Sequence, residues 1–163
     1  MTDIKFQKIK ADNDIKEVIK SAFGVDLDID GGWGYTQEDA LIINDASIPL
    51  AQLQHTLCSI RAHLEMSMTL PKEERYGAIN VNEIKREEKE FYIRKYDIIT
   101  FEVSGMLEEV YKKFIDEYKA GQDSDSFDIK DHFDRRKKET HGRQEAFWFD
   151  VTNIKGERKN DIE

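Results

Sequence analysis

The chain has 163 residues, of which 39% are hydrophobic, 10% aromatic and 36% charged; this excludes wholesale disorder and predicts a single domain over residues 1–154 with a polar, fraying tail at 155–163. One cysteine, Cys58, excludes an internal disulfide framework, and no apolar run approaches the ~18 residues of a membrane-crossing helix. The net charge is −9, and six of those nine charges sit in residues 25–45, where Asp26, Asp28, Asp30, Glu38, Asp39 and Asp45 occur with no Lys or Arg.

Near the N-terminus Ile4 and Phe6 read as a short strand, and residues 1–10 lack the apolar core of a signal peptide, so a cytoplasmic protein is expected. Residues 13–23 place Ile15, Val18, Ile19 and Ala22 on one helical stripe, with Asp12 or Asn13 as the cap and Gly24 as the stop. Residues 25–30 alternate Val25, Leu27 and Ile29 with three aspartates, which is the period of a half-buried strand; residues 40–43 are its hairpin partner. The longest helix is predicted at 48–69, where Leu50, Leu53, Leu57, Ile60, Leu64 and Met68 step by three or four. Asp45 or Ser47 is its cap, Pro49 lies in its first turn and Pro71 just beyond its end. On an ideal helix His55, Cys58 and His63 fall off that stripe.

Residues 78–85 and 90–103 are rich in β-branched and aromatic side chains and read as strands, with the charged run 86–90 as the turn between them and a bend or split near residues 95–97. A second strong helix spans 105–120, capped by Ser104 and stopped by Gly121, with a core face that includes Met106, Leu107, Val110 and Phe114. A loop at 122–126, a weaker helix at 127–139 and a doubly apolar strand at 146–151 complete the order. Helices and strands do not alternate singly. The expected fold class is therefore α+β, a largely antiparallel sheet of about five strands with three to four helices packed mainly on one face.

The stretch 25–43 carries the functional question. Asp26, Asp28, Asp30 and Gly31 match the first half of a calcium-binding EF-hand loop, but the twelfth position, which should be a bidentate Glu, is Gln37. A phosphate cradle is disfavoured because carboxylates, not cations, surround the glycines. A hairpin satisfies the pattern without a ligand, and it sets Trp33 and Tyr35 near a loop rim beside the acidic face. The candidate binding residues are Asp26, Asp28, Asp30, Trp33, Tyr35, Glu38 and Asp39: aromatic anchors within negative charge, suited to a basic protein partner. A competing account folds Trp33 back over the hairpin as core.

Elsewhere the signals are weaker. His55 and His63 lie too far apart along their helix to share a metal unaided, and His132 and His141 lack a second motif at a defined spacing. The basic run 135–138 is flanked by acids, so residues 127–142 net only +1 and give no nucleic-acid footprint. The expectation is a small soluble, non-enzymatic binding protein of inhibitor, neutralising or accessory type, with no cofactor, no metal, no catalytic residues and no membrane or nucleic-acid partner. The alternatives are an enzyme with a His/carboxylate site, and a DNA mimic.

Overall fold

The computed structural model describes residues 8, 9, 14–68, 70–122 and 124–156. The strand expected at Ile4 and Phe6, the caps at Asp12 and Asn13, and the tail after residue 156 lie outside them. The first helix, α1 (Ile15–Phe23), is capped by Asp14, whose carboxylate accepts from the Lys16 amide at 2.9 Å, and Gly24 closes it at φ +69°. Its buried residues are Ile15 and Ile19.

A five-stranded sheet organises the chain. Its order is β1 (Ile29–Gly31), β2 (Leu41–Ile43), β5 (His141–Asp150), β4 (Arg94–Leu107), β3 (Tyr76–Phe91). Three of the four pairings are antiparallel, and β2 runs parallel to β5 through Leu41↔Phe149. The sheet is thus mixed, but the α+β class and its mostly antiparallel character stand. Between β2 and β3 lies α2 (Leu50–His63), which continues into a π-helical turn at Leu64–Met68. Between β4 and β5 come α3 (Glu108–Gly121) and α4 (Ile129–Lys138).

One core joins α1 and α2 to one face of the sheet, through Ile15, Ile19, Leu53, Leu57, Ile60, Phe101, Val103, Phe147 and Phe149. The predicted stripe of α2 is buried at Leu53, Leu57 and Ile60, but so are Gln54, Cys58 and Arg61, which the ideal helix places away from it. The helix is wrapped more broadly because its polar residues find partners: Gln54 donates to Asp97 at 2.8 Å. Burial pushes the Cys58 thiol up to about 12. Neither Asp45 nor Ser47 caps α2; Pro49 occupies the cap position.

Helices touch both faces. Tyr76 and Gly77 are neighbours on β3 and so point to opposite sides. Tyr76 joins the core, whereas a Cβ on Gly77 would lie 3.3 Å from the ring of Tyr111 in α3. α3 therefore starts against the face opposite α2, an exception to the expectation of helices packed mainly on one face.

Several boundaries move, for identifiable reasons. The strand expected at 25–30 shrinks to Ile29–Gly31 because β2 offers only three partners, and Val25 is left exposed. The charged run 86–90 is not a turn. It pairs residue by residue with β4, Arg86↔Ile99 through Glu90↔Lys95, because an outermost strand leaves charged side chains in water and the run has no Gly, Asn or Pro to reverse the chain. The reversal falls at Tyr92 and Ile93. Met106 and Leu107 end β4 rather than start α3, and Ser104 lies inside the strand and does not cap a helix. β5 begins at His141, five residues before the apolar run, because its polar half pairs with β4 from Gly105↔His141 onward.

Candidate functional site

The acidic segment forms one corner of the sheet. β1 is an edge strand, and Asp26, Asp28 and Asp30 are all exposed. Asn44, just past β2, donates to Asp30 at 2.8 Å and to Asp28 at 3.4 Å, and itself accepts from Asn153 at 2.7 Å. A neutral amide thus spaces the two carboxylates without cancelling their charge. Asp26 lies 3.9 Å from Lys16, with most of its side chain in water. Glu38 is exposed. Asp39 is half-buried and structural: its carboxylate accepts from the Thr36 amide and hydroxyl, closing the loop before β2.

The aromatic pair does not sit at the rim. Trp33 is only 1% exposed and belongs to the core, so it offers nothing to a partner; the account that folds it over the hairpin is the one realised. The glycines permit this. Gly31 and Gly34 have φ of +85° and +75°, and a Cβ on Gly34 would lie 2.3 Å from the Phe147 ring. Tyr35 is half-buried, and its hydroxyl donates to Glu65 at 2.6 Å while accepting from the Ile9 amide at 3.0 Å. Burial, and then the Glu65 carboxylate, hold the phenol well above its ordinary range.

Behind this loop lies a buried ionic network that the sequence pattern does not announce. Arg61 is fully buried. It donates to the carbonyls of Trp33 at 2.9 Å and Ala146 at 3.0 Å, and its guanidinium carbon lies 4.4 Å from the Tyr35 ring centre and 4.3 Å from that of Phe147. Glu65 and Glu145 approach Arg61 at 4.0 and 3.8 Å, and Arg143 bonds Glu65 at 2.6 Å and also pairs with Glu145. Two cations face two carboxylates, so the group is neutral. It ties the loop, α2 with its π turn, and β5 into one unit. Arg61 and Glu65, opposite charges four residues apart just beside the apolar stripe, are the sequence signal that points to it.

The histidines are dispersed. His55 is exposed, while the half-buried His63 pairs with the Ser59 carbonyl at 2.8 Å; both border one shallow depression. His132 is fully buried between α3 and α4, where rings of Phe114, Tyr118, Phe127 and Phe133 surround it, and its Nδ1 lies 2.5 Å from Glu117. Arg135 bonds the same carboxylate at 2.7 Å, and Glu117 is held below the usual carboxylate range by Arg135 first and His132 second. An adjoining cavity of about 310 Å³ is lined by Val110, Lys113, Phe114, Glu117, Arg135 and Glu139, so His132 itself does not border it. Of the basic run, Arg135 is thus engaged with Glu117 and Asp131, and Arg136 lies over the rings of Tyr111 and Phe133.

Among the described residues no three His, Cys, Asp or Glu side chains are grouped to hold a metal ion, and no helix is long and apolar enough to cross a membrane. No known protein family, curated protein or solved structure matches the chain.

Proposed function

We propose that this chain is a non-enzymatic binding protein whose acidic sheet corner engages a basic protein partner in a reducing, cytoplasmic setting. The observation that carries the reading is the exposure of Asp30 in the edge strand β1 and of Asp26 and Asp28 in the segment that leads into it, with the carboxylates of Asp28 and Asp30 hydrogen-bonded to the neutral Asn44 amide. Like charges on one strand face cost a fold ~0.2–1 kcal/mol where they oppose each other. Charge on an edge strand also discourages edge-to-edge aggregation. That second duty needs one charge rather than three, and a focused negative field raises the encounter rate with a cationic surface. Of the proposed contact residues, Asp26, Asp28, Asp30 and Glu38 are available; Trp33, Tyr35 and Asp39 serve the fold.

The test uses a defined probe, a synthetic peptide of lysines spaced by glycines, titrated calorimetrically at two salt concentrations. Wild type is expected to bind it with an affinity that falls as salt rises, and the triple variant Asp26→Asn/Asp28→Asn/Asp30→Asn to lose both the affinity and the salt dependence. Equal binding by the two proteins would remove the proposal.

A further inference from the structure

The longest hairpin of the sheet ends in a turn that breaks the rules of turns. Phe91 pairs with Arg94, which leaves Tyr92 and Ile93 as a two-residue connection. Tyr92 adopts φ +57°. Connections of this length place Gly, Asn or Asp where φ is positive, because a large L side chain is strained there. Here the position holds an aromatic that is 90% exposed, followed by an isoleucine that is 85% exposed. Both side chains stay almost wholly in water and neither joins the core, so the backbone strain and the apolar exposure bring the fold little compensating gain. A local rule broken without a structural return is expected at functional positions. Phe91, also exposed, meets Tyr92 edge to face at 4.6 Å, which presents the two rings as one preformed knob.

The topology puts this knob at the same end of the sheet as the acidic corner. β4 starts where β5, parallel to β2, ends, and β1 starts where β2 ends. A chain of hydrogen bonds runs along that end. The Lys95 amide donates to Thr152 Oγ1 at 2.8 Å, the next residue, Asn153, donates to Asn44, and Asn44 donates to Asp28 and Asp30. Three strand spacings separate β4 from β1, roughly 14 Å, well within one protein–protein footprint. Of the cations near the knob, Arg94 is matched by Asp150 at 3.3 Å and Lys95 by Glu90 at 3.9 Å, while Lys89 lies 5.9 Å from the Phe91 ring centre and donates to the neutral Gln37 at 3.2 Å, one cation set against the exposed Asp28 and Asp30. The uncompensated charge of this end is therefore negative.

We infer that Phe91, Tyr92 and Ile93 form the apolar anchor of the binding surface, and that the partner is a basic protein face whose apolar pocket is rimmed by Lys or Arg. The inference rests on the acidic-corner reading and supplies the anchor that Trp33 does not. The knob fills the pocket, and the aspartates meet the rim. Anchors of this kind concentrate binding energy and act on dissociation, whereas rim charges act on association.

The experiment compares two peptides of equal length and lysine content, one spaced by glycine and one by leucine, against wild type, Tyr92→Gly/Ile93→Ser and Asp28→Asn/Asp30→Asn. Wild type is expected to prefer the leucine-spaced peptide by ~10-fold, the effect of one modest anchor. The tip variant should lose that preference, keep the glycine-spaced affinity and melt no lower than wild type, since glycine suits the turn. No leucine preference, with binding still dependent on the aspartates, would overturn the anchor and leave the acidic reading standing. A leucine preference that survives neutralisation of the aspartates would overturn the acidic reading instead. A lowered melting temperature of the tip variant, a tip-dependent dimer, or tip-dependent co-sedimentation with phosphatidylcholine vesicles would each overturn the proposal, in favour of a structural role, a second copy or a lipid surface respectively.

Discussion

Arg61 shows how a single side chain decides where the candidate surface lies. An unpaired guanidinium in the core costs several kcal/mol, and this one is tolerated because two carbonyls, two carboxylates and three aromatic rings receive it. Its bond to the Trp33 carbonyl holds the indole in the core. Arg61→Ala should destabilise the protein by ~3–5 kcal/mol, the usual effect of removing one partner from a buried ionic group. Denaturant unfolding reads this directly. A loss below ~1 kcal/mol would show that the remaining Arg143–Glu65–Glu145 group satisfies itself and that Arg61 is dispensable. At the same scale Trp33 and Tyr92 exchange the roles that composition assigns them: the tryptophan beside the acids is core, and the tyrosine in the middle of an apparent strand is exposed.

At the scale of elements, α3 and α4 form a helical pair fastened by Glu117, His132 and Arg135. Because Glu117 titrates below its ordinary value of 4.5 in the folded chain, the unfolded state binds its proton first on acidification. Its contribution to stability is present above that ordinary value and is lost as pH falls through the lowered one. Glu117→Gln should flatten the decline of melting temperature in this acidic window and lower stability near neutrality. An unchanged pH profile would mean that the carboxylate is solvated and the pair held by ring packing alone.

The elements also show what the sequence makes legible. Amphipathic periodicity locates the four α-helices of the described residues to within a few residues, and the alternation at 25–30 and the run at 40–43 yield a real, though shorter, hairpin. What periodicity misses is pairing that side-chain chemistry does not announce. The run 86–90 looks like a turn because it is charged, yet an edge strand accepts charge. Tyr92 and Ile93 look like strand because they are apolar, yet they reverse the chain. The polar half of β5 is hidden for the same reason, since Arg143 and Glu145 are balanced by residues of the π turn and α2 far away in sequence. The acidic members of the candidate site were legible from charge clustering alone. The anchor was not, because its signal is a backbone angle.

At the scale of the molecule, the mixed order β1-β2-β5-β4-β3 brings two segments more than 60 residues apart, 26–30 and 91–93, to one end of the sheet and leaves the His132 pair on separate elements. The account therefore claims one binding end, charged at one side and apolar at the other. Its most direct test is an amide chemical-shift map of the full chain titrated with the leucine-spaced lysine peptide. The account predicts shifts at residues 26–30, at Asn44 and at 91–95, with little change in α3 and α4. Shifts centred on Glu117, His132 and Arg135, with the sheet end silent, would contradict it.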